Sequence, residues 1–155
     1  MTAMTLHVPT QQDFAKTAER VRRDPGYGAF LLLRVGFTVL PIVFGVDKFT
    51  NILVQWDHYL APWVIGIVPT TAHQTMLIVG VIEIIAGLTV ALKPRYGSLL
   101  VAAWLGGIVI NLFSYPGFYD IALRDFGLLL AALTLARLAH AYDSPWRRRS
   151  PGKDI

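Results

Sequence analysis

The chain has 155 residues, of which 54% are hydrophobic and only 15% are charged, and its formal net charge is +4. A soluble domain typically has about a quarter of its residues charged, so this composition favours a small integral membrane protein of one domain. The sequence contains no cysteine, which excludes disulfides, thiolate metal sites and thiol redox chemistry within it. No nucleic-acid partner is expected, because the basic residues cluster at the ends of apolar segments.

Residues 1–28 are predicted to form a basic cytoplasmic arm rather than a signal peptide, because they contain no short apolar core. Thr10 followed by Asp13 is a helix-start signal, and an amphipathic helix is predicted over Thr10–Arg23. Its apolar side chains fall on one face and its basic side chains on another. Two interpretations stay open, a helix on the anionic cytoplasmic leaflet and a solvated arm.

Four apolar runs follow, each close to the ~20 residues that a helix needs to cross about 30 Å of hydrocarbon. They are Ala29–Phe49, Thr75–Leu92, Ser98–Phe113 and Ile121–Leu138. Because hydrocarbon offers the backbone no hydrogen bonds, these runs are predicted to be helices. The predicted fold class is an all-α integral membrane protein, with a bundle of four transmembrane helices over residues 29–139.

The segment between the first two runs, residues 52–70, is too apolar for an ordinary loop. It is predicted to form one or two short helices on the outer surface, divided by Pro62. Trp56, Tyr59 and Trp63 in this segment are residues that favour the membrane interface. Residues 140–155 are predicted to form a basic cytoplasmic tail.

The distribution of Lys and Arg predicts that both termini are cytoplasmic, in the inner membrane of a prokaryote. Eleven basic residues lie on one side of the runs and two on the other. The larger set is Lys16, Arg20, Arg22, Arg23, Lys93, Arg95, Arg137, Arg147, Arg148, Arg149 and Lys153; the smaller set is Lys48 and Arg124.

Each predicted span has one face of small, polar or charged residues, and these faces are expected to point into the bundle. Glu83 is the only charge in the run Thr75–Leu92, where an unpaired carboxylate is costly. From helical rise, Arg34 is its expected partner, and Arg34, Glu83 and Asn111 form the predicted intramembrane polar core. Two roles stay open for the pair, locking the helices in register and handling a ligand or proton.

A second polar layer is predicted beneath the outer surface, and it consists of Lys48, Asp120, Arg124 and Asp125. These residues lie near span ends, where long basic side chains reach the interface, so anchoring is their simplest role. Trp63 and Trp104 are candidate surfaces for stacking of a ligand. No catalytic residue and no metal site is predicted. The adjacent pair Gly106 and Gly107 is interpreted as a site of close helix packing.

Three stretches of the sequence resemble the DoxX-like family of small four-span membrane proteins. LLLRVGFTVLPIVFGVDKF is similar to the first span of that family, VGVIEIIAGLTVALKPRYGSLL to its second, and YLAPWVIGIVP to its external segment. The resemblance covers roughly residues 31–138, and its matching positions are Arg34, Gly45, Lys48, Glu83 and Gly87. It implies a four-span bundle and a role near redox enzymes, since the family is named after a membrane subunit of a thiosulfate:quinone oxidoreductase.

Three functions stay open. The preferred one is an accessory membrane subunit of a larger respiratory or redox complex, with the lipid bilayer and other membrane subunits as partners. The second is a quinone-binding or lipophilic-substrate-binding component of a quinone-linked oxidoreductase that uses Glu83 and Arg34. The third is a small transporter. The isolated chain is not assigned an enzyme activity, and the cofactor considered is a bound quinone or lipid.

Overall fold

A computed structural model describes residues 10–143, and within that range the chain is helical with no sheet. Its α-helices are α1 Gln11–Arg23, α2 Pro25–Thr50, α3 Pro62–Ile67, α4 Ala72–Leu92, α5 Pro94–Phe113 and α6 Tyr119–Tyr142. A 3-10 turn over Trp56–Tyr59 precedes α3, so the predicted short helical pieces between the first two spans are present. The predictions for residues 1–9 and for most of the basic tail lie outside the described residues.

Three helices of the described range, α2, α4 and α5, are long and apolar enough to cross a membrane. The predicted all-α class is therefore confirmed, together with three candidate spans. Helices α2 and α5 each begin four residues before the predicted run, at Pro25 and Pro94. Proline fits the first position of a helix because the N–H that it lacks has no partner there. Helix α6 has 24 residues and carries more charge than these three.

Helices α2 and α4 pack along a seam of glycines. A Cβ on Gly45 would lie 2.6 Å from the carbonyl oxygen of Gly80, and a Cβ on Gly80 would lie 2.7 Å from that of Gly45. One on Gly87 would lie 2.7 Å from the carbonyl oxygen of Thr38. Backbones this close leave no room for a side chain. Since residue 45 faces residue 80 and residue 38 faces residue 87, the helices are antiparallel in a fixed register.

The interpretation of Gly106 and Gly107 as a close packing site is wrong. A Cβ on Gly107 would meet nothing within 4 Å, and one on Gly106 would meet only the end of the Leu129 side chain at 3.7 Å. The close contact of α5 is made instead by Gly97, which packs directly against the backbone of α4 at Thr89 and Val90. Gly97 is needed because it lies just after the turn between α4 and α5, where the two backbones are close. The adjacent Gly106 and Gly107 have no such close neighbour.

The apolar core occupies one half of the bundle. It lies where α2 and α5 begin and where α4 and α6 end. Its buried members are Phe30, Phe37, Ala86, Val90, Val101, Ala102, Ala132, Leu135 and Ala139. The charged side chains that are buried lie towards the opposite end of α2, so the bundle has an apolar half and a half with a polar interior.

Candidate ligand pocket and its ion pair

A buried ion pair joins the seam helices. Nζ of Lys48 donates to Oε2 of Glu83 at 2.6 Å, and the two side chains are 4% and 11% exposed. The absence of a side chain at Gly80 makes this possible, because a Cβ there would lie 3.2 Å from Cβ of Lys48. The lysine stem thus passes over Gly80 and directs its ammonium inward. A buried pair of this kind is costly to break on one side only.

The predicted pair of Arg34 with Glu83 is wrong. Nη2 of Arg34 donates to the carbonyl oxygen of Ala91 at 2.6 Å, close to the end of α4. Basic side chains are favourable there, because the last carbonyls of a helix lack backbone partners. Helical rise along each span does not include the register that the glycines impose between α2 and α4. In that register Arg34 is level with Ala91, whereas Glu83 lies about 12 Å away from Ala91 along α4.

Lys48 was placed in the outer layer as an anchoring residue, and this placement is also wrong. The Trp56 ring covers the ammonium, with its centroid 3.7 Å from Nζ. Asp47 holds the ring in place by accepting a hydrogen bond from Nε1 of Trp56 at 2.7 Å. It also accepts from the backbone N–H groups of Ile52 and Leu53, each at 3.1 Å. Because the chain after α2 folds back over Lys48, the lysine side chain does not extend towards the outer surface.

The other members of the predicted outer layer divide between the interior and the surface. Asp125 is partly buried and lies within electrostatic range of both Glu83 and Lys48. Arg124 points away from this group and pairs with Asp120 at 3.3 Å, with side chains 75% and 64% exposed. The interior polar group therefore consists of Lys48, Glu83 and Asp125, an assignment that sequence reasoning missed. The sequence contains a signal for the inward position of Lys48, because Lys48 lies three residues after Gly45 on the same face of the first span.

Asn111 fastens the outer segment instead of joining the polar core. Its Oδ1 accepts from the backbone N–H of Ala61 at 3.0 Å, and its Nδ2 donates to the carbonyl oxygen of Tyr59 at 2.8 Å. Trp63 makes a second attachment, since its Nε1 donates to Oγ of Ser114 at 2.7 Å. Residues 59–63 are thereby held over the end of α5. Trp63 does not line the cavity described below.

Replacing Asn111 by Ala is expected to destabilise the protein by about 1–3 kcal/mol, because the N–H of the fully buried Ala61 loses its partner. Faster amide hydrogen exchange at residues 59–61 would measure the effect locally. The matched control is Gln55→Ala, an exposed side chain in the same segment that makes no capping hydrogen bond. Equal exchange in the two variants would contradict the fastening role.

An apolar cavity of about 320 Å³ lies between α2, α4, α5 and α6, beside the ion pair. Its lining consists of Leu32, Leu33, Gly36, Phe37, Leu40, Pro41, Phe44, Glu83, Ala86, Val101, Trp104, Leu105, Ile108, Leu128 and Ala131. Only Glu83 and Trp104 in this lining have polar side-chain atoms. Leu32 is 74% exposed, so the cavity reaches the outer surface of the bundle, where lipid chains would lie.

Trp104 presents a hydrogen-bond donor inside this cavity. Its Nε1 is buried and lies beside the Glu83 carboxylate, its nearest acceptor, without the full geometry of a hydrogen bond. An indole N–H can only donate, so a ligand acceptor in the cavity would compete with Glu83 for it. Trp104 lines the cavity with both its ring and this N–H donor.

The described residues contain no group of three or more His, Asp or Glu side chains that could hold a metal ion. Comparisons of the chain with family models, with curated proteins and with solved structures gave no match.

Proposed function

We propose that the chain is a four-span inner-membrane protein that binds a lipophilic molecule with a carbonyl-bearing head group, of the quinone class, in the cavity between its helices. One observation carries the proposal: an almost wholly apolar cavity of about 320 Å³ is lined by an indole whose buried N–H lies beside a carboxylate. Ligand sites typically have volumes of about 300–1,000 Å³ and combine an apolar lining with a few polar groups.

Helix α6 serves as the fourth span in this proposal. At 24 residues it is about 36 Å long, enough to cross about 30 Å of hydrocarbon. Of its four charged residues, Asp120, Arg124 and Arg137 lie towards its ends, where side chains can reach the interface, and Asp125 is partly buried within electrostatic range of the ion pair. Between them it buries small residues against the bundle and exposes Leu123, Leu130 and Leu133.

The chemistry of the lining favours a particular kind of head group. The N–H of Trp104 would donate to a carbonyl oxygen of the ligand, and the ring would pack against its plane. Glu83 borders the same space while Lys48 holds its Oε2. The leucine and phenylalanine side chains would surround an apolar tail that leaves towards lipid on the side of Leu32. Arg34 does not contribute to this site, because it binds the carbonyl of Ala91.

The resemblance to the DoxX-like family rests on short stretches of sequence. Its matching positions, Arg34, Gly45, Lys48, Glu83 and Gly87, all lie between α2 and α4. Gly45 and Gly87 bring the helices together, Arg34 binds the end of α4, and Lys48 and Glu83 form the buried pair. These positions, which are scattered in the sequence, thus belong to one helix interface, and Glu83 among them also lines the cavity.

Replacing Trp104 by Phe is expected to weaken binding of a short-chain ubiquinone about tenfold, because one hydrogen bond to the head group is lost while the ring remains. The measurement is equilibrium binding of that quinone to purified protein in mild detergent. Glu83→Gln should also weaken binding, and Asp120→Asn is its matched control, since it removes a carboxylate on the exposed face of α6. Unchanged affinity in Trp104→Phe, or no quinone binding by the parent chain, would refute the proposal.

A second candidate is an accessory subunit of a larger respiratory or redox complex. The outer segment favours it, because this segment is held firmly by Asn111 and Trp63 yet leaves Ile52 and Ile67 exposed. Such a fixed apolar surface suits docking of another membrane subunit. Affinity purification from native membranes in mild detergent distinguishes the candidates: a stoichiometric partner that is lost in Ile67→Ser supports the accessory role, and recovery of the chain alone argues against it.

A further inference from the structure

The amphipathic helix α1 has an apolar face that the described part of the chain leaves largely exposed. None of its residues is buried, and Phe14 is 61% exposed. Phe14, Ala18 and Val21 follow helical spacing on this face, and Val21 lies near Gly28 at the start of α2. An exposed apolar face on a helix of a folded protein marks a surface for a partner or a membrane.

The junction between α1 and α2 is rigid and only one residue long. The Asp24 carboxylate accepts hydrogen bonds from the backbone N–H of Tyr27 at 3.0 Å and from the hydroxyl of Tyr142 at 2.9 Å. These bonds hold the pKa of Asp24 below its ordinary value, with the Tyr27 bond the larger cause. The Arg20 guanidinium lies over the Tyr27 ring, 3.9 Å from its centroid. Helix α1 is therefore fixed beside the start of α2.

This position decides what covers the apolar face. Helix α2 is long and apolar enough to span a membrane, so a helix joined to its end by one residue lies at the membrane surface. Helix α1 has four basic side chains, Lys16, Arg20, Arg22 and Arg23, against the two acids Asp13 and Glu19. Anionic head groups attract basic residues held within a Debye length of the surface.

We propose that α1 lies in the head-group region of an anionic leaflet, with Phe14 and Ala18 inserted towards the acyl chains and with its basic side chains on anionic lipid. Such helices bury their apolar face about 5–10 Å below the surface. The inference rests on α2 crossing the membrane and is independent of the ligand cavity.

The chain contains no cysteine, so single cysteines can be introduced as unique labelling sites. The full chain carrying Ala18→Cys or Gln12→Cys would be labelled with a polarity-sensitive dye and reconstituted in vesicles of phosphatidylcholine, with and without phosphatidylglycerol. Gln12 lies on the opposite face of α1, so the two labels should differ in depth by about 10 Å, the diameter of a helix. Nitroxide lipids then report insertion, and aqueous iodide reports exposure.

With phosphatidylglycerol present, we expect nitroxide lipid to quench the Ala18 label and iodide to quench the Gln12 label. The insertion of Ala18 should decrease in vesicles without anionic lipid, and also in 1 M salt, where the Debye length falls to about 3 Å. It should likewise decrease in a background of Lys16→Gln and Arg22→Gln. Equal access of iodide to both labels would overturn the proposal. Shielding of Ala18 in native membranes but not in any vesicle would also overturn it, because a protein partner would then cover α1.

Discussion

Replacing Lys48 by Met is expected to destabilise the protein by about 3–5 kcal/mol, because Glu83 is then left as an uncompensated buried charge. Glu83→Gln should also be destabilising, since it leaves the buried ammonium of Lys48 without its counter-ion. The double variant should cost less than the sum of the two single changes, because neither charge remains. Unfolding by increasing mole fractions of dodecyl sulfate in mixed micelles measures all three free energies.

Two further pairs provide controls for this cycle. Arg124 and Asp120 form an exposed pair one turn apart on α6, and their coupling should not exceed about 1 kcal/mol. Arg34→Met combined with Glu83→Gln should be additive, because Arg34 binds the carbonyl of Ala91 and not the carboxylate. Additive effects for Lys48 and Glu83, or strong coupling for Arg34 and Glu83, would contradict the assignment of the ion pair.

Replacing Gly45 by Ala is expected to destabilise the protein by about 1–3 kcal/mol, the usual cost of forcing extra atoms into a packed interface. The new methyl group would lie 2.6 Å from the carbonyl oxygen of Gly80, and backbone can yield only if the two helices separate. Gly80→Ala should have a similar effect. The double variant should cost less than the sum, because one separation accommodates both methyl groups. The same micelle titration measures these changes.

The matched control for the seam is Gly107→Ala on α5, where a Cβ meets nothing within 4 Å. Alanine stabilises a helix by roughly 0.5–1 kcal/mol relative to glycine, so this variant should be neutral or more stable. Equal stability of the Gly45→Ala and Gly107→Ala variants would show that α2 and α4 are not in close contact at their glycines.

The sequence predicts helices well here because the hydrophobic run length and the proline positions are local signals. It also identifies Glu83 as an interior residue, since a carboxylate in an apolar run is conspicuous without any knowledge of its neighbours. The identity of its partner, in contrast, depends on contacts between residues that are far apart in the sequence. Arg34 and Lys48 lie on the same face of the first span, and only the contacts of Gly45 with Gly80 and of Gly87 with Thr38 decide which of them is level with Glu83.

The remaining errors have the same origin. Asn111 binds the outer segment, and Trp63 belongs to it. The path of this segment depends on how Asp47 turns the chain after α2, and no periodicity in the sequence records that turn. Asp125 and Arg124 are neighbours in the sequence, yet Asp125 is partly buried within electrostatic range of the ion pair and Arg124 is exposed. One residue along a helix changes direction by about 100°, so a small error in helix rotation exchanges their roles.

The order of the helices along the chain has a consequence for biogenesis. Lys48 and Glu83 belong to consecutive long helices, so a nascent chain that has emerged only as far as α4 already contains both charges and the glycines that bring them together. The two side chains can therefore neutralise each other within one helical hairpin as it enters the bilayer. The cavity needs Val101, Trp104 and Leu128, and it is completed only after α5 and α6 have been synthesised.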